Sequence, residues 1–449
     1  MDIEESPPRR GLARASVVDT LAVLADVVLP TLGKGMFIRR PRVEAMSEHL
    51  GLDLRAVRRL QNLRARYGEG PILLATPLRP QGIILAAEDV HRVLAGAPDP
   101  FAPATLEKRS ALSHFEPRNV LISDPPERAE RRRFHDDLLE SDRPFHGMAD
   151  TVFGIIGEEA RTLLVKAGRT LTWDRFITAW YAAARRLILG HGARDDHALT
   201  DDLAALRRAG NWAFLHPKRR ALRHRFYARL QAHLDRAEPG SLAERIAARS
   251  NTAVTAPADQ VAHWLFAFDA AGIATYRALA LIAAHSAAQG RVRDESVAAR
   301  ATARRDLPFT RACLLESIRL WPTTPAILRE TMQDLAWPGG RIEKNTQLLI
   351  FVPFFHRDEE RLAEAHRFAP ELWLGPATPR RWPLIPFSEG PGTCPAHHLV
   401  PLVGSAMIAS LLHDHAIALD PPDRLVADRP LPGTLAHVGV RLTLRPGEA

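Results

Sequence analysis

Apolar residues recur three and four positions apart along most of the chain. LTDDLAALRRAGNWAFL and ATARRDLPFTRACLLESIRLW are two examples, and each has charged residues between the apolar ones. This spacing gathers the apolar side chains on one face of an α-helix. The chain is therefore predicted to be mainly α-helical.

Strand-like runs are few and short. They read GPILLATPL and QGIILA early in the chain, RIEKNTQLLIFVP later and GVRLTLRP near the end, each bounded by Gly or Pro. We find no internal repeat, low-complexity tract or clear linker. The pattern predicts small β-sheets beside a helical body, folded as a single domain over residues 1–449.

A long irregular segment rich in proline runs from Pro370 to Pro401 and contains Cys394. Ordering such a segment without regular hydrogen bonds is costly, which usually indicates a functional reason. Pro395 suits the first position of a helix, so Cys394 is predicted to lie at a helix N-terminus with a lowered thiol pKa. A stabilised thiolate is a nucleophile or a metal ligand, and an inert buried cysteine is the alternative reading.

Composition narrows the classes of site and partner. Two cysteines cannot build a disulfide framework, and one thiolate cannot form a structural zinc or iron–sulfur site, whereas haem needs only one. The net charge of +8 is spread along the chain, which argues against a nucleic-acid partner. Asp19 and Asp26 interrupt the first apolar run, which falls short of the ~20 residues needed to span a bilayer. We therefore expect a cytoplasmic protein without a transmembrane segment.

The cysteine segment resembles the haem-binding loop of the cytochrome P450 family. Phe387, Gly390 and Cys394 have that loop's spacing. Upstream, Glu316 and Arg319 in ESIR, followed by LWPTTPAILRET, resemble the family's Glu-x-x-Arg helix and its proline-rich exit. The resemblance covers roughly residues 70–440 and leaves the first 30 as an N-terminal extension. It implies a triangular helical body with a minor sheet-rich lobe.

The same resemblance implies roles for further residues. The oxygen-binding groove of the long central helix is expected at Ala271, Gly272 and Thr275. The arginines facing the haem propionates are expected to be Arg128, Arg132 and Arg329. The residues expected to line a substrate pocket are Phe266, Phe268, Asp269, Ala270, Ala326, Ile327 and Leu435, with Trp212 and Phe214.

Several positions depart from the family pattern. Ala274 stands where an acid normally precedes the threonine, and Asp269 lies about 140° round the helix from it, so we do not expect Asp269 to replace that acid. The other departures are Gly392 for a usual arginine or histidine, Ala396 for a usual glycine and Leu372 for a usual arginine. We expect His366 or Arg367 to compensate for Leu372.

The resemblance implies a monomeric haem-thiolate monooxygenase that holds haem b through Cys394 and oxidises a lipophilic small molecule. A separate ferredoxin-type donor with its reductase is expected to dock over the cysteine loop, near positions 366, 380 and 397. Three alternatives remain open: a peroxide-using, rearranging or dehydrating enzyme on the same fold, a haem-binding sensor or carrier without turnover, and a cysteine hydrolase, for which no placed base is visible.

Overall fold

The computed structural model describes residues 12–77, 79–302, 305–375 and 382–446, and helices dominate it. The helices are α1 (Val17–Val23), α2 (Leu29–Gly33), α3 (Pro41–His49), α4 (Leu52–Tyr67), α5 (Ala87–Ala95), α6 (Leu106–Leu112), α7 (Pro125–Leu138), α8 (Ala149–Ala167), α9 (Trp173–Leu189), α10 (His197–Gly210), α11 (Arg220–Arg236), α12 (Leu242–Ala247), α13 (Pro257–Ala284), α14 (Ser286–Thr302), α15 (Pro308–Leu320), α16 (Val352–His356) and α17 (Leu399–Leu412). The predicted fold class is confirmed.

The strands form three small sheets. They are β1 (Ile72–Leu74), β2 (Gln81–Ile83), β3 (Phe101–Ala102), β4 (Thr170–Thr172), β5 (Ala326–Thr331), β6 (Leu335–Trp337), β7 (Gly340–Ile342), β8 (Gln347–Phe351), β9 (His415–Asp420) and β10 (Arg441–Pro446). The largest sheet has the order β1-β2-β8-β5-β3, the second has the order β4-β10-β9, and β6 pairs with β7. Within the largest sheet, β2 and β8 are parallel and the other neighbours antiparallel. All four predicted strand runs contain strands, whereas β3, β4, β5, β6 and β9 were not predicted.

Two hydrophobic cores correspond to the predicted helical body and sheet-rich lobe. The larger core joins α8, α9, α13, α15 and α17 through side chains such as Trp180, Leu279 and Met407. The smaller core joins the largest sheet to α4 and α5 through residues such as Ile83 and Leu348. Strand β5 starts a few residues after α15, so it links the helical body to the sheet.

Helix α13 runs through the larger core. Pro257 occupies its first turn, where a missing N–H costs no hydrogen bond. Within the described ranges it is the one helix long and apolar enough to cross a membrane, but 78% of its most apolar window is buried inside the protein. A helix that is apolar all round is what a protein core requires, so this burial accounts for the composition of α13.

Helix α17 follows the cysteine segment but starts later than predicted. It begins at Leu399 rather than at Pro395, and the residues between form turns in which the N–H of Val400 donates to the carbonyl of Ala396. Cys394 is therefore not at the N-terminus of a regular helix. Instead, it ends a loop that leads into α17.

Candidate active site

Backbone hydrogen bonds give the cysteine loop its shape. The N–H of Cys394 donates to the carbonyl of Phe387 at 2.9 Å, and the hydroxyl of Thr393 donates to the carbonyl of Gly390 at 2.7 Å. Gly390 has φ +67°, and a Cβ there would lie 2.6 Å from the carbonyl oxygen of Leu94. Only glycine combines that backbone angle with this close approach to α5. Phe387, Gly390 and Cys394 thus act together in one loop.

The thiol of Cys394 does not have the lowered pKa that the sequence predicted. Burial raises the pKa of Cys394, although the backbone N–H of Ala396 and the charge of Arg132 act in the opposite sense. The prediction assumed a helix N-terminus directly after the cysteine, and the late start of α17 removes most of that dipole. A bound cation would supply the missing stabilisation, because a coordinating thiol is deprotonated outright.

Three cations converge beside the cysteine loop. Arg128 and Arg329 are buried, and the ammonium of Lys108 donates to the carbonyl of Leu328 at 3.2 Å, next to Arg329. Burial and the neighbouring charges lower the pKa of Arg128 and of Arg329 to about 10 and also lower the pKa of Lys108 well below its usual value. In the described part of the chain, none of the three forms an ion pair with a carboxylate, and Nε of Arg329 is buried without a hydrogen-bond partner.

This unpaired positive charge fits the two carboxylates of a haem. Buried charges normally have partners, so three uncompensated cations indicate an anionic ligand. The geometry also connects them to the cysteine loop, since a Cβ at Gly392 would lie 2.9 Å from Nη2 of Arg329. Arg329 therefore occupies the space that a larger side chain at position 392 would need. Position 392 carries glycine instead of the arginine or histidine that is usual in the family. Lys108 was not predicted, because a lysine on a short amphipathic helix looks like an ordinary surface charge.

Arg132 is tied to the protein more tightly than the sequence suggested. Its Nε donates to Asp136 and its Nη1 donates to the carbonyl of Thr393, at 2.8 and 2.7 Å. It therefore braces the residue that precedes Cys394. Of the three predicted propionate partners, Arg128 and Arg329 lie close together, whereas Arg132 holds the cysteine loop.

Glu316 and Arg319 form a fully buried ion pair. Arg319 donates twice to the carboxylate, at 2.6 and 2.7 Å. The carboxylate also accepts from the N–H of Ala369 at 2.8 Å and from Nε1 of Trp373 at 2.9 Å. These two donors supply hydrogen bonds to Glu316 in place of the arginine that the family usually has at the position of Leu372.

The compensation expected from His366 or Arg367 is not what the structure contains. Arg367 contributes only its carbonyl, which accepts from Arg319 at 2.8 Å, and Nδ1 of His366 accepts from Arg357 at 3.2 Å. Neither side chain donates to Glu316. The sequence signal for the actual donor was the tryptophan one position after Leu372, because a buried indole N–H normally finds an acceptor.

One face of α13 stays partly accessible although the helix runs through the core. Between positions 261 and 282 of this helix, the half-buried side chains are His263, Phe266, Ala267, Asp269 and Ala270. At about 100° per residue they share a sector of roughly 160°. We call this sector the open face. The rings of Phe37 and Phe115 pack against Phe266, with centroids 6.2 and 5.5 Å from it.

Ala271, Gly272 and Thr275 lie on the packed side of the same helix. A Cβ at Gly272 would lie 2.9 Å from Nε1 of Trp180 in α9. The hydroxyl of Thr275 is fully buried, donates to the carbonyl of Ala271 at 2.8 Å, and lies 2.9 Å from where Gly404 of α17 would carry a Cβ. In this structure these small residues let helices approach one another, and their role as an oxygen-binding groove stays a prediction.

Asp269 lies at the edge of the open face and pairs with Arg207 of α10. The guanidinium of Arg207 donates to Oδ2 of Asp269, is buried, and lies 4.8 Å above the ring of Phe266. Ala270 is the next residue and carries no hydroxyl. Thr275, five positions further on, lies about 140° round the helix from Ala270. The acid of the open face is therefore Asp269, and Ala274 is buried.

The other predicted pocket residues are dispersed. Ala326 is half-buried and Ile327 is buried in the smaller core. Phe268 packs against Trp180, with ring centroids 5.9 Å apart, and Leu435 is fully buried, its carbonyl accepting from Arg277. The remaining two residues are exposed on the surface, namely Trp212 and Phe214. Only Phe266, Asp269 and Ala270 are gathered on the open face.

Comparison with known proteins supports the reading of the loop. A family model described as cytochrome P450 matches residues 263–427, which include most of α13, the Glu316–Arg319 pair and Cys394. A retinoic-acid-bound cyanobacterial CYP120A1 superposes with a TM-score of 0.68 at 18% identity, over 86% of this chain and 93% of that one. The chain is therefore similar to cytochrome P450s in its fold and over the residues that the family model matches. A zebrafish cytochrome P450 with abiraterone gives a TM-score of 0.65 at 18% identity, over 86% and 98% of the two chains.

Curated cytochrome P450 relatives match a shorter segment. A probable mitochondrial cytochrome P450 12b2 of Drosophila melanogaster is 29% identical over 25% of this chain and 24% of its own length. The β-amyrin 24-hydroxylase of Glycine max is 33% identical over 24% and 23%. The cyclooctat-9-en-7-ol 5-monooxygenase of Streptomyces melanosporofaciens is 31% identical over 25% and 27%. The matched segment spans about a quarter of these relatives.

Proposed function

We propose that this protein is a cytochrome P450 that acts as a haem-thiolate monooxygenase. The observation that carries the proposal is the cluster of Lys108, Arg128 and Arg329, which lies against the loop that ends in Cys394 and has no carboxylate partner among the described residues. A haem offers a metal for the thiolate and two carboxylates for the cations. When bound through a thiolate, haem supplies the redox chemistry that activates dioxygen.

The chain's own residues would manage protons through Asp269. Oδ2 of this carboxylate accepts from Arg207, which leaves Oδ1 to exchange a proton with water or with a substrate hydroxyl on the open face. Arg207 is held in turn by the hydroxyl of Tyr181 at 3.4 Å. Because Ala270 has no hydroxyl, we expect water or the substrate to complete the path that a threonine side chain would otherwise provide.

The substrate is proposed to be a lipophilic small molecule. Phe37, Phe115 and Phe266 form an aromatic wall beside the open face, and such surfaces favour apolar ligands with a few placed polar groups. Two relatives carry names that refer to β-amyrin and to cyclooctat-9-en-7-ol. These names support a terpenoid as the first class to screen.

Electrons are proposed to come from a separate ferredoxin-type protein. His397 and His398 lie beside the cysteine loop, and the ring nitrogen Nδ1 of His397 contacts the carbonyl of Cys394 at 2.8 Å. Of the positions expected to face the donor, Arg380 lies outside the described residues. The single-domain organisation, monomeric state and cytoplasmic location stay predictions from the sequence.

A second candidate is a peroxide-using enzyme on the same fold. The observation that favours it is that the open face, as described, offers one carboxylate and no hydroxyl side chain. Product formation from a terpenoid panel, measured with ferredoxin, reductase and NADPH against hydrogen peroxide alone, separates the two candidates. Turnover that peroxide supports as well as the electron chain does would overturn the monooxygenase proposal.

A further inference from the structure

A buried carboxylate and a histidine form a pair beside the open face. Nδ1 of His263 lies 3.1 Å from both oxygens of Glu116. Glu116 is fully buried, while 20% of the His263 side chain is exposed. Burial raises the pKa of Glu116, although His263 opposes this shift. The nearest other charges are already engaged, Asp259 with Arg118 and Arg207 with Asp269.

The shared proton determines what His263 presents to the open face. A carboxylate buried at 0% exposure is costly unless a positive charge or a proton neutralises it, so the pair stays neutral overall. In one neutral form a protonated His263 faces an ionised Glu116, and both ring nitrogens carry protons. In the other, protonated Glu116 donates to Nδ1, and the neutral ring carries its proton on Nε2. Nε2 is a donor in both forms.

The position of Nε2 distinguishes His263 from its neighbour His135. Both nitrogens of His135 are used inside the protein, since Nδ1 accepts from Trp264 at 2.8 Å and Nε2 lies 3.1 Å from Oε1 of Gln260. For Nε2 of His263, no partner is found among the residues that the structure describes. Its ring lies on the open face, with its centroid 5.5 Å from that of Phe266. This donor is therefore available to a ligand.

We propose that Nε2 of His263, backed by Glu116, donates a hydrogen bond to a neutral oxygen of the substrate, and that the enzyme is selective for lipophilic molecules bearing a carbonyl or similar acceptor. The proposal rests on the proposed function, because it places the substrate on the open face of α13. A carboxylate-bearing substrate is disfavoured, since its charge would compete with Glu116 for the one proton-bearing ring.

The test uses a matched pair of probes, cyclooctanone and cyclooctane, which differ in one carbonyl oxygen. Their dissociation constants are measured by calorimetry on the haem-loaded ferric protein, as wild type and as His263→Phe and His263→Gln. His285→Phe is the control, because His285 caps the far end of the same helix, where its Nδ1 contacts the carbonyl of Leu281. Each variant is first checked for the thiolate spectrum of its reduced carbon monoxide complex.

We expect His263→Phe to weaken cyclooctanone binding about threefold to tenfold, the loss of one neutral hydrogen bond, and to change cyclooctane binding less than about twofold. His263→Gln, which keeps an N–H donor, should restore most of the loss, and His285→Phe should match wild type. Equal changes for the two probes in His263→Phe, or no measurable binding of cyclooctanone by wild type, would overturn the proposal. A missing thiolate spectrum in wild type would instead defeat the proposed function.

Discussion

Replacing Gly392 with alanine is expected to loosen haem by displacing Arg329. The new Cβ would lie 2.9 Å from Nη2 of Arg329, closer than carbon atoms approach nitrogen in folded proteins, so the guanidinium must move. Nη2 is the end of a flexible side chain, so the guanidinium can move away from the new methyl group and out of its present position. Gly392 does not have a positive φ, so alanine adds little backbone strain. The cost should therefore fall on the contact between Arg329 and the haem carboxylate.

A hydrogen bond to a charged group is worth about 1.5–3 kcal/mol, which corresponds to haem release about tenfold to a hundredfold faster. The assay follows the Soret band while excess apomyoglobin captures the released haem. Gly290→Ala in α14 is the matched control, because a Cβ there meets nothing within 4 Å. Arg329→Ala removes the same contact, so adding Gly392→Ala to it should change the rate little further.

Two results would refute this reasoning. One is haem release from Gly392→Ala at the wild-type rate. The other is an effect of Gly392→Ala that is just as large when Arg329 is already alanine, since the substitution would then act by another route. Either result would show that the cation cluster does not bind the haem carboxylates.

Three further changes test the site and its supports. Thr275→Val should lower the free energy of unfolding in urea by about 1 kcal/mol and leave the thiolate spectrum intact, and loss of that spectrum would return Thr275 to the active site. Trp373→Phe removes a donor from Glu316 and should cost about 1.5–3 kcal/mol in the same assay, so unchanged stability would count against the network. Burial alone would raise the pKa of Glu44, but Arg277, His437 and Arg39 together outweigh it and lower that pKa to about 2. Up to about 3 kcal/mol of stability should therefore be present above pH 4.5 and be lost towards pH 2, and Glu44→Gln should flatten this loss.

Local signals in the sequence predicted the cysteine loop and the buried ion pair. Gly390 and Cys394 belong to one tight loop, so the spacing between them can be read within one short segment of the sequence. Glu316 and Arg319 lie one helical turn apart, so their pairing follows from helix geometry. What surrounds them depends on tertiary contacts. The donors from Ala369 and Trp373 reach Glu316 from a segment more than fifty residues away.

The open face of α13 could not be identified from the sequence. Helical periodicity shows which residues share a side, but α13 is apolar all round, and which side stays accessible depends on where α9 and α17 pack. Gly272 and Thr275 are small residues that let α9 and α17 pack closely against α13. His263 and Asp269 were the better indicators, since polar side chains on an apolar helix need partners or a ligand.

The strands were only partly predictable, because some of them also depend on tertiary contacts. Strand β10 is six residues long and alternates clearly, whereas β3 has two residues and pairs only because β5 lies beside it. Lys108 shows the same limit for the site, because its helix is short and only the approach of Arg329 makes it part of a charge cluster.

The most direct test of the central claim is the absorption spectrum of the reduced, haem-loaded protein with carbon monoxide. If Cys394 holds the iron, the Soret band is strongly red-shifted, and Cys394→His folds and binds haem without that band. A band at the wavelength typical of histidine-bound haem in wild type, or a red-shifted band that survives in Cys394→His, would contradict the account.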